Sequence, residues 1–501
     1  MTPMRIMIIG GGTAGWMAAA CLRRFLPESW SIRLVESDAI ATVGVGEATI
    51  PQIRLFNEAL GIDEDEFLTA TQGTIKLGIE FSDWMRLGHR YMHAFGAIGR
   101  ALGLIDFHHY WLRARAAGVA KGLEFYSLNE QAAHARRMQR GVPRTSPYLL
   151  EIPYAYHFDA ALYAAYLRRR AEAGGVERIE GKVADVRLDG ASGNVAGVTL
   201  DDGRAFDGDF FIDCSGFRGL LIEGALATGY DDWSRWLLNN RAVAVPCAHG
   251  DTPQRPWTGA TAREAGWQWR IPLQHRIGNG YVYCSDHISD DEAERTLLAN
   301  LDGPAQAEVN RLRFTSGKRR QHWNRNVVAL GLASGFMEPL ESTSIHLIQA
   351  GISRLIKMLP AGVADPAVAA EFNRQSDFEW ERIRDFIILH FKATTRTDTQ
   401  YWRDRAAVEV PDTLAAKIDL FRAQGLIFRE HEELFTESGW LQVLVGQGVE
   451  PRRWHPLADG IGDTELAQYL AGISLMIDRE VAQMESYDAF LAATRPAGVA
   501  A

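Results

Sequence analysis

Three glycines and one acid frame the first chemistry in this sequence. Gly10, Gly12 and Gly15 form a GxGxxG pattern between an apolar run, Arg5 to Ile9, and a helix-like stretch, Trp16 to Leu26, that Pro27 would end. The first glycine permits a tight turn, the second lets backbone approach a pyrophosphate, and the third lets helix and strand pack closely. With Thr13 and Ala14 between them, they would seat phosphate at a helix N-terminus. Glu36 closes a second strand-like run that starts at Ser31, where a carboxylate accepts hydrogen bonds from ribose hydroxyls. A glycine-rich turn alone also arises for purely structural reasons. Strand, turn, helix, strand and acid in this order point to a bound dinucleotide.

The elements that must position this chemistry are legible in outline. Further segments of the nucleotide domain are a helix from Asp159 to Leu167, a hairpin-like region from Gly181 to Leu200, and the apolar run Phe210 to Ile212 before Asp213-Cys214-Ser215-Gly216. Asp201-Asp202-Gly203 marks a turn between Val195 to Leu200 and Arg204 to Phe206. Val327 to Met358 reads as strand, glycine-containing turn, and a helix opening after Pro339. From Pro366 onward the pattern is mostly helical, with apolar positions such as Phe378, Ile383, Phe386 and Ile387. We therefore expect an α/β fold: a two-domain, monooxygenase-like flavoprotein core built on GxGxxG, carrying a helical C-terminal substrate lobe. The expected boundaries are 1–105, 156–230 and 321–362 for the nucleotide-binding core, 106–155 for a substrate-lobe insertion, 231–320 for a substrate-side sheet, and 363–501 for the helical lobe.

Composition narrows the partners. The 501 residues hold 53 Lys plus Arg against 63 Asp plus Glu, a balance of −10 that gives no electrostatic footprint for nucleic acid. Cys21, Cys214, Cys247 and Cys284 are widely spaced, which suggests reduced thiols rather than a disulfide framework. No apolar stretch has the length of a membrane span, so a cytoplasmic protein is expected. His89 and His93 have HxxxH spacing, but Arg90 follows His89 where zinc proteases need Glu, and no metal is implied.

Four further motifs, taken together, resemble the flavin-dependent halogenases of the tryptophan-halogenase superfamily across nearly the whole chain. They are Gly44-Val45-Gly46-Glu47-Ala48-Thr49-Ile50-Pro51; Thr74-Ile75-Lys76-Leu77-Gly78-Ile79 with Phe81 and Trp84; Trp267-Gln268-Trp269-Arg270-Ile271-Pro272, a WxWxIP pattern; and Phe336-Met337-Glu338-Pro339-Leu340-Glu341-Ser342-Thr343-Ser344. The resemblance implies FAD, used as FADH2, with Glu47, Ala48, Val183, Leu332 and Ile345 at the flavin. It implies catalytic roles for Lys76 and Glu341, and a chloride or bromide site at Thr343 and Ser344. In this family hypohalous acid made beside the flavin passes through the protein to the lysine, and the glutamate polarises it or meets the cationic arene. The helix expected after Pro339 would offer N–H groups to the halide, although the family pair usually ends in glycine where this chain has Ser344. His93 and Phe95 resemble an aromatic shelf for the substrate ring. Trp267, Trp269 and Pro272 are read as structural, since residues two apart on a strand share a face.

Flavin hydroxylases commonly carry Gly-Asp where this chain has Gly331-Leu332-Ala333-Ser334, which argues against a single-component aromatic monooxygenase. A non-catalytic flavin-binding redox sensor is the other alternative, disfavoured by Lys76 and Glu341. The stretch Glu432 to Trp440 does not reproduce the aromatic and acidic set that grips free tryptophan in the family, so an electron-rich, indole-like aromatic other than free tryptophan is expected, with a small phenolic compound or a larger tryptophan-bearing metabolite as alternatives. No second nucleotide domain is visible, so reduced flavin would come from a separate NAD(P)H-dependent flavin reductase. Monomer and homodimer both remain open.

Overall fold

The computed structural model describes residues 3–40, 46–360, 362 and 365–494. The chain forms two compact units, one from Met1–Gly73, Phe158–Arg241 and Leu312–Glu381, the other from Thr74–His157, Ala242–Arg311 and Arg382–Ala501.

The first unit is organised by a six-stranded sheet in the order Trp323–Asn324, Val327–Ala329, Phe210–Asp213, Arg5–Ile9, Ser31–Glu36, Glu177–Glu180. All pairings are parallel except the one at the Trp323–Asn324 edge. Parallel neighbours need crossovers, and the helices Thr13–Phe25 and Ala160–Ala173 supply two of them. Sheets covered by crossover helices read as continuous apolar runs, which is why RIMII and FFID carry so few polar residues. Met7, Ile9, Val35, Phe211 and Val327 form the core of one face together with Val198 and Leu200 from the antiparallel meander that follows Glu177–Glu180. That meander contains Val195–Leu200 and Ala205–Asp207, joined through the expected Asp201-Asp202-Gly203 turn.

The turn after Arg5–Ile9 is tighter than the sequence alone suggests. The helix starts at Thr13, with Gly12 as its N-cap, so Gly15 lies inside it rather than in the turn. A Cβ on Gly15 would meet the Gly10 carbonyl oxygen at 1.9 Å, and one on Gly10 would meet the Cys214 carbonyl oxygen at 2.2 Å. Gly10 also has φ +109°, a conformation that side chains resist. The crossover helix expected from Asp159 is shifted by one residue. Asp159 is the N-cap of Ala160–Ala173, accepting from the Ala161 and Leu162 N–H groups, and is not its first helical residue.

The second unit is built on a seven-stranded sheet, in the order Asn310–Arg313, Arg241–Cys247, Ile277–Tyr283, Gly266–Pro272, Thr258–Arg263, Gly78–Ser82, Arg90–Ala94. Beside it, the short strand Thr74–Lys76 pairs antiparallel with Ala155–His157. The C-terminal part is helical as the pattern indicated, with Gln400–Ala407, Asp412–Gln424, Glu437–Gly446, Asp463–Gln483 and Tyr487–Ala493. The four cysteines are free thiols. Among the described residues, no helix is long and apolar enough to cross a membrane.

Replacing Gly10 by alanine combines a disfavoured φ with a backbone clash. The variant should lose at least about 3 kcal/mol of unfolding free energy, read from denaturant titration.

Candidate active site

In the first unit, the end of Arg5–Ile9 and the start of Thr13–Phe25 bring Gly10, Gly12, Thr13, Ala14 and Gly15 together, with Glu36 beside them at the end of the next strand. The Glu36 Oε2 atom stands 1.5 Å from where a Cβ on Gly11 would be, so only glycine leaves room for that carboxylate. The carboxylate is held in place from three sides. Arg178 Nε donates to Oε1 at 2.5 Å, Arg168 does so at 3.5 Å, and Trp16 Nε1 donates to Oε2 at 3.3 Å. Gly331 packs on Ala14, a Cβ there lying 2.8 Å from the Ala14 Cβ, which places the Gly331–Ala333 turn and its Leu332 against the glycine turn. Val183 opens the strand Val183–Leu188. Glu47 and Ala48 lie in the strand Gly46–Ala48, whereas Gly44 and Val45 of the same motif fall outside the described residues. Burial pushes the Glu47 carboxyl up to about 7. Asp213 is fully committed to structure: its carboxylate accepts from the backbone N–H groups of Ser215, Leu221 and Ile222 and from the Ser215 hydroxyl.

The segment around Glu341 departs from expectation. The helix begins at Ser344, not directly after Pro339, with Thr343 as its N-cap and Ile345 in its first turn. Pro339 to Ser342 form a tight turn, with the Ser342 N–H donating to the Pro339 carbonyl at 3.1 Å and Ser342 in the left-handed region at φ +60°. Glu341 therefore precedes the helix and is not a first-turn acid. The turn is almost wholly buried at Glu338, Leu340, Glu341, Ser342 and Thr343, and Asn239 Nδ2 holds Glu338 Oε2 at 2.8 Å. Thr343 makes no side-chain cap. Ser344, as a helical residue with negative φ, sits where serine and glycine are both sterically allowed.

In the second unit, Lys76 ends the strand Thr74–Lys76 and has no exposed surface. Its Nζ lies 5.4 Å from the centroid of the Phe95 ring, and the Phe95 N–H donates to the carbonyl of the adjoining Leu77 at 2.9 Å. Thr74, two residues before Lys76, shares its face of the strand. The Thr74 hydroxyl donates to the carbonyl of Pro272, the last residue of the WxWxIP strand, at 2.6 Å. Its single proton is thereby used, so His157 Nδ1 must donate to Thr74 Oγ1 across 3.0 Å, and His157 Nε2 accepts from Thr258 Oγ1 across 2.9 Å. Burial, then the charges of Lys76 and Arg270, hold this imidazole well below the usual histidine range, and it is neutral at pH 7.

Trp267 and Trp269 lie on one face of Gly266–Pro272, both buried, with ring centroids 6.2 Å apart. His93 is also buried. It contacts Phe386 and Phe435, which stack on each other at 3.8 Å, and its Nε2 lies 2.8 Å from where a Cβ on Gly439 would be. The sequence-predicted residues thus fall into two groups: the nucleotide turn, Glu341, Thr343 and Ser344 in the first unit, and Lys76, Phe95, His93 and the two tryptophans in the second.

The tryptophan halogenase family profile matches residues 5–463. The chain belongs to the tryptophan halogenase family. It is a two-component flavin-dependent halogenase with the family's α/β flavin-binding fold. Tryptophan 6-halogenase SttH of Streptomyces toxytricini is 39% identical over 475 residues, 89% of this chain and 90% of that protein. Tryptophan 7-halogenase RebH of Lentzea aerocolonigenes is 37% identical over 485 residues, again 89% and 90%. Two solved structures superpose throughout. A flavin-dependent halogenase from Xanthomonas campestris gives a TM-score of 0.95 at 48% identity, covering 100% of both chains. BrvH, a flavin-dependent halogenase from Brevundimonas sp. BAL3, gives 0.93 at 44% identity, covering 99% of both.

Sequence reasoning about the halogenase missed Thr74, His157, Thr258, Arg168 and Arg178. Only Thr74 carried a signal, its i, i+2 relation to Lys76; His157 lies 83 positions from Thr74, with which it pairs across the two strands. The depressed His157 pKa has a stability consequence. Below about pH 6.5 the unfolded chain takes up a proton that folded His157 refuses, so its contribution is complete above that pH and erodes as pH falls. Unfolding free energies measured at pH 7, 6 and 5 should decline with acid, and His157→Gln should flatten the decline by about 1.4 kcal/mol per pH unit.

Proposed function

We propose that this halogenase joins chloride or bromide to a small electron-rich, indole-like aromatic, with hypohalous acid positioned by Lys76 and the positive charge developing on the ring met by Glu341. When bound, FADH2 with O2 supplies the oxidising power that turns halide into hypohalous acid. The turn from Gly10 to Gly12 and the helix start at Thr13 would offer backbone N–H groups to the pyrophosphate of that cofactor, and Glu36, steadied by Arg178, would accept ribose hydroxyls. Glu47, Ala48, Val183, Leu332 and Ile345 would line the flavin. A carboxyl like that of Glu47, which titrates near neutrality, can hold a proton there or release it.

The observation that carries the reading is the complete burial of the Lys76 ammonium on a strand whose neighbouring groups are fixed. An ammonium is a mobile donor, and burial and neighbours tune how readily it gives up its proton. Anchored over Phe95, it would hold hypohalous acid by hydrogen bonding and keep the oxidant from attacking the protein at large. Glu341 would stabilise the cationic ring and take its proton, restoring aromaticity. Thr343 and Ser344, at the start of a fourteen-residue helix, would offer N–H donors to halide. Relatives named for tryptophan support an indole-type ring.

Lys76→Ala should abolish arene halogenation in bromide buffer, at least about a hundredfold by product mass, while flavin reoxidation continues. Normal product from that variant would remove the role. Reduced flavin should have to come from a separate NAD(P)H-dependent reductase, so purified protein with NADH and FAD alone should give no product, and robust turnover without reductase would refute that dependence.

A further inference from the structure

A three-residue strand is too short to hold a lysine by its own pairing. In the register Thr74↔His157, Ile75↔Tyr156 and Lys76↔Ala155, successive residues aim their backbone groups alternately toward and away from the partner strand. Ile75 and Leu77 share the edge facing away. Leu77 is satisfied there, its N–H donating to the Pro256 carbonyl at 2.7 Å and its carbonyl accepting from Phe95. Ile75 is satisfied by one distant side chain. The Ile75 N–H donates to the Tyr487 phenolic oxygen at 3.0 Å, and that hydroxyl donates to the Ile75 carbonyl, also at 3.0 Å. A single hydroxyl replaces the pair of bonds a neighbouring strand would make.

Tyr487 is itself firmly placed. It is fully buried and begins the helix Tyr487–Ala493, whose cap is Ser486. Its backbone N–H donates to the Arg136 carbonyl at 2.8 Å, and Glu485–Ser486 pairs with Arg137–Met138. Burial pushes the phenol well above its ordinary range, so it keeps the proton it donates at any working pH.

We propose that Tyr487 is a positioning residue for halogen transfer: its hydroxyl latches the backbone of Ile75 and thereby fixes where the adjoining Lys76 ammonium points. This inference rests on the role given to Lys76 above. It predicts a specific failure. With the hydroxyl gone, oxidant still forms, but the lysine no longer holds it in register with the arene, and free hypohalous acid escapes.

Tyr487→Phe deletes the hydroxyl and keeps the ring. Full-length variant and unaltered protein would be compared with reductase, FAD, bromide and an indole, with a dimedone-type trap reporting escaped hypohalous acid. Flavin oxidation should be unchanged and the arene KM within about twofold, while product per flavin oxidised falls roughly ten- to hundredfold and trapped oxidant rises to match. Amide hydrogen exchange should quicken in residues 74–77 and not in the Gly266–Pro272 strand. Unchanged coupling, or unchanged exchange at 74–77, overturns the proposal. Should the variant not fold, exchange in the unaltered protein decides: the Ile75 amide must be protected at least about a hundredfold over an exposed amide, and loop-like exchange refutes the latch. Lys76→Ala run alongside separates the two claims. If that variant still halogenates, the lysine's role fails; if it is inactive while Tyr487→Phe stays fully coupled, only the latch fails.

Discussion

An ammonium withdrawn from water is among the costlier things a fold can accommodate, and Lys76 has no exposed surface at all. Its surroundings are arranged around that cost. The His157 imidazole, whose pKa burial and then the charge of Lys76 depress, stays uncharged and so adds no repulsion to the lysine. The proton order Thr258 to His157 to Thr74 to the Pro272 carbonyl leaves no donor on that path idle. Phe95 contributes the negative face of its ring. The WxWxIP strand thereby acquires a concrete role. Its proline carbonyl terminates the hydrogen-bond chain that steadies the lysine's face, while its two tryptophans pack near each other on one face of the strand.

The nucleotide turn follows a complementary logic, in which close approach of backbone replaces side-chain contact. Carbonyl oxygens of Gly10 and Cys214 and the carboxylate of Glu36 occupy the places where Cβ atoms would otherwise be. Trp16 and Arg178 keep Glu36 from swinging away. Nearby Asp213 spends its oxygens on the turn that follows it.

Much of this is readable from residue order, and the rest is hidden for identifiable reasons. The strands Arg5–Ile9 and Ser31–Glu36 and the turn at Asp201 declare themselves because apolar runs and turn residues are local signals. The helix starts at Thr13 and Ser344 escape a sequence reading because caps there depend on how the preceding turn folds: Gly12 and Thr343 make no side-chain cap that a pattern could betray. Lys76 and Glu341 stand out through motif resemblance, not periodicity. His157 and Tyr487 have no sequence signal, since their partners lie 83 and 412 positions away and meet them only through tertiary pairing.

That last separation bears on biosynthesis. While the protein is being made, the outer edge of Thr74–Lys76 stays open until residue 487 has been added, which at ordinary elongation rates is roughly 20–80 s after Ile75. On the latch proposed above, the lysine that would handle a corrosive oxidant would be among the last features to be locked, and an incomplete chain would be an unarmed one.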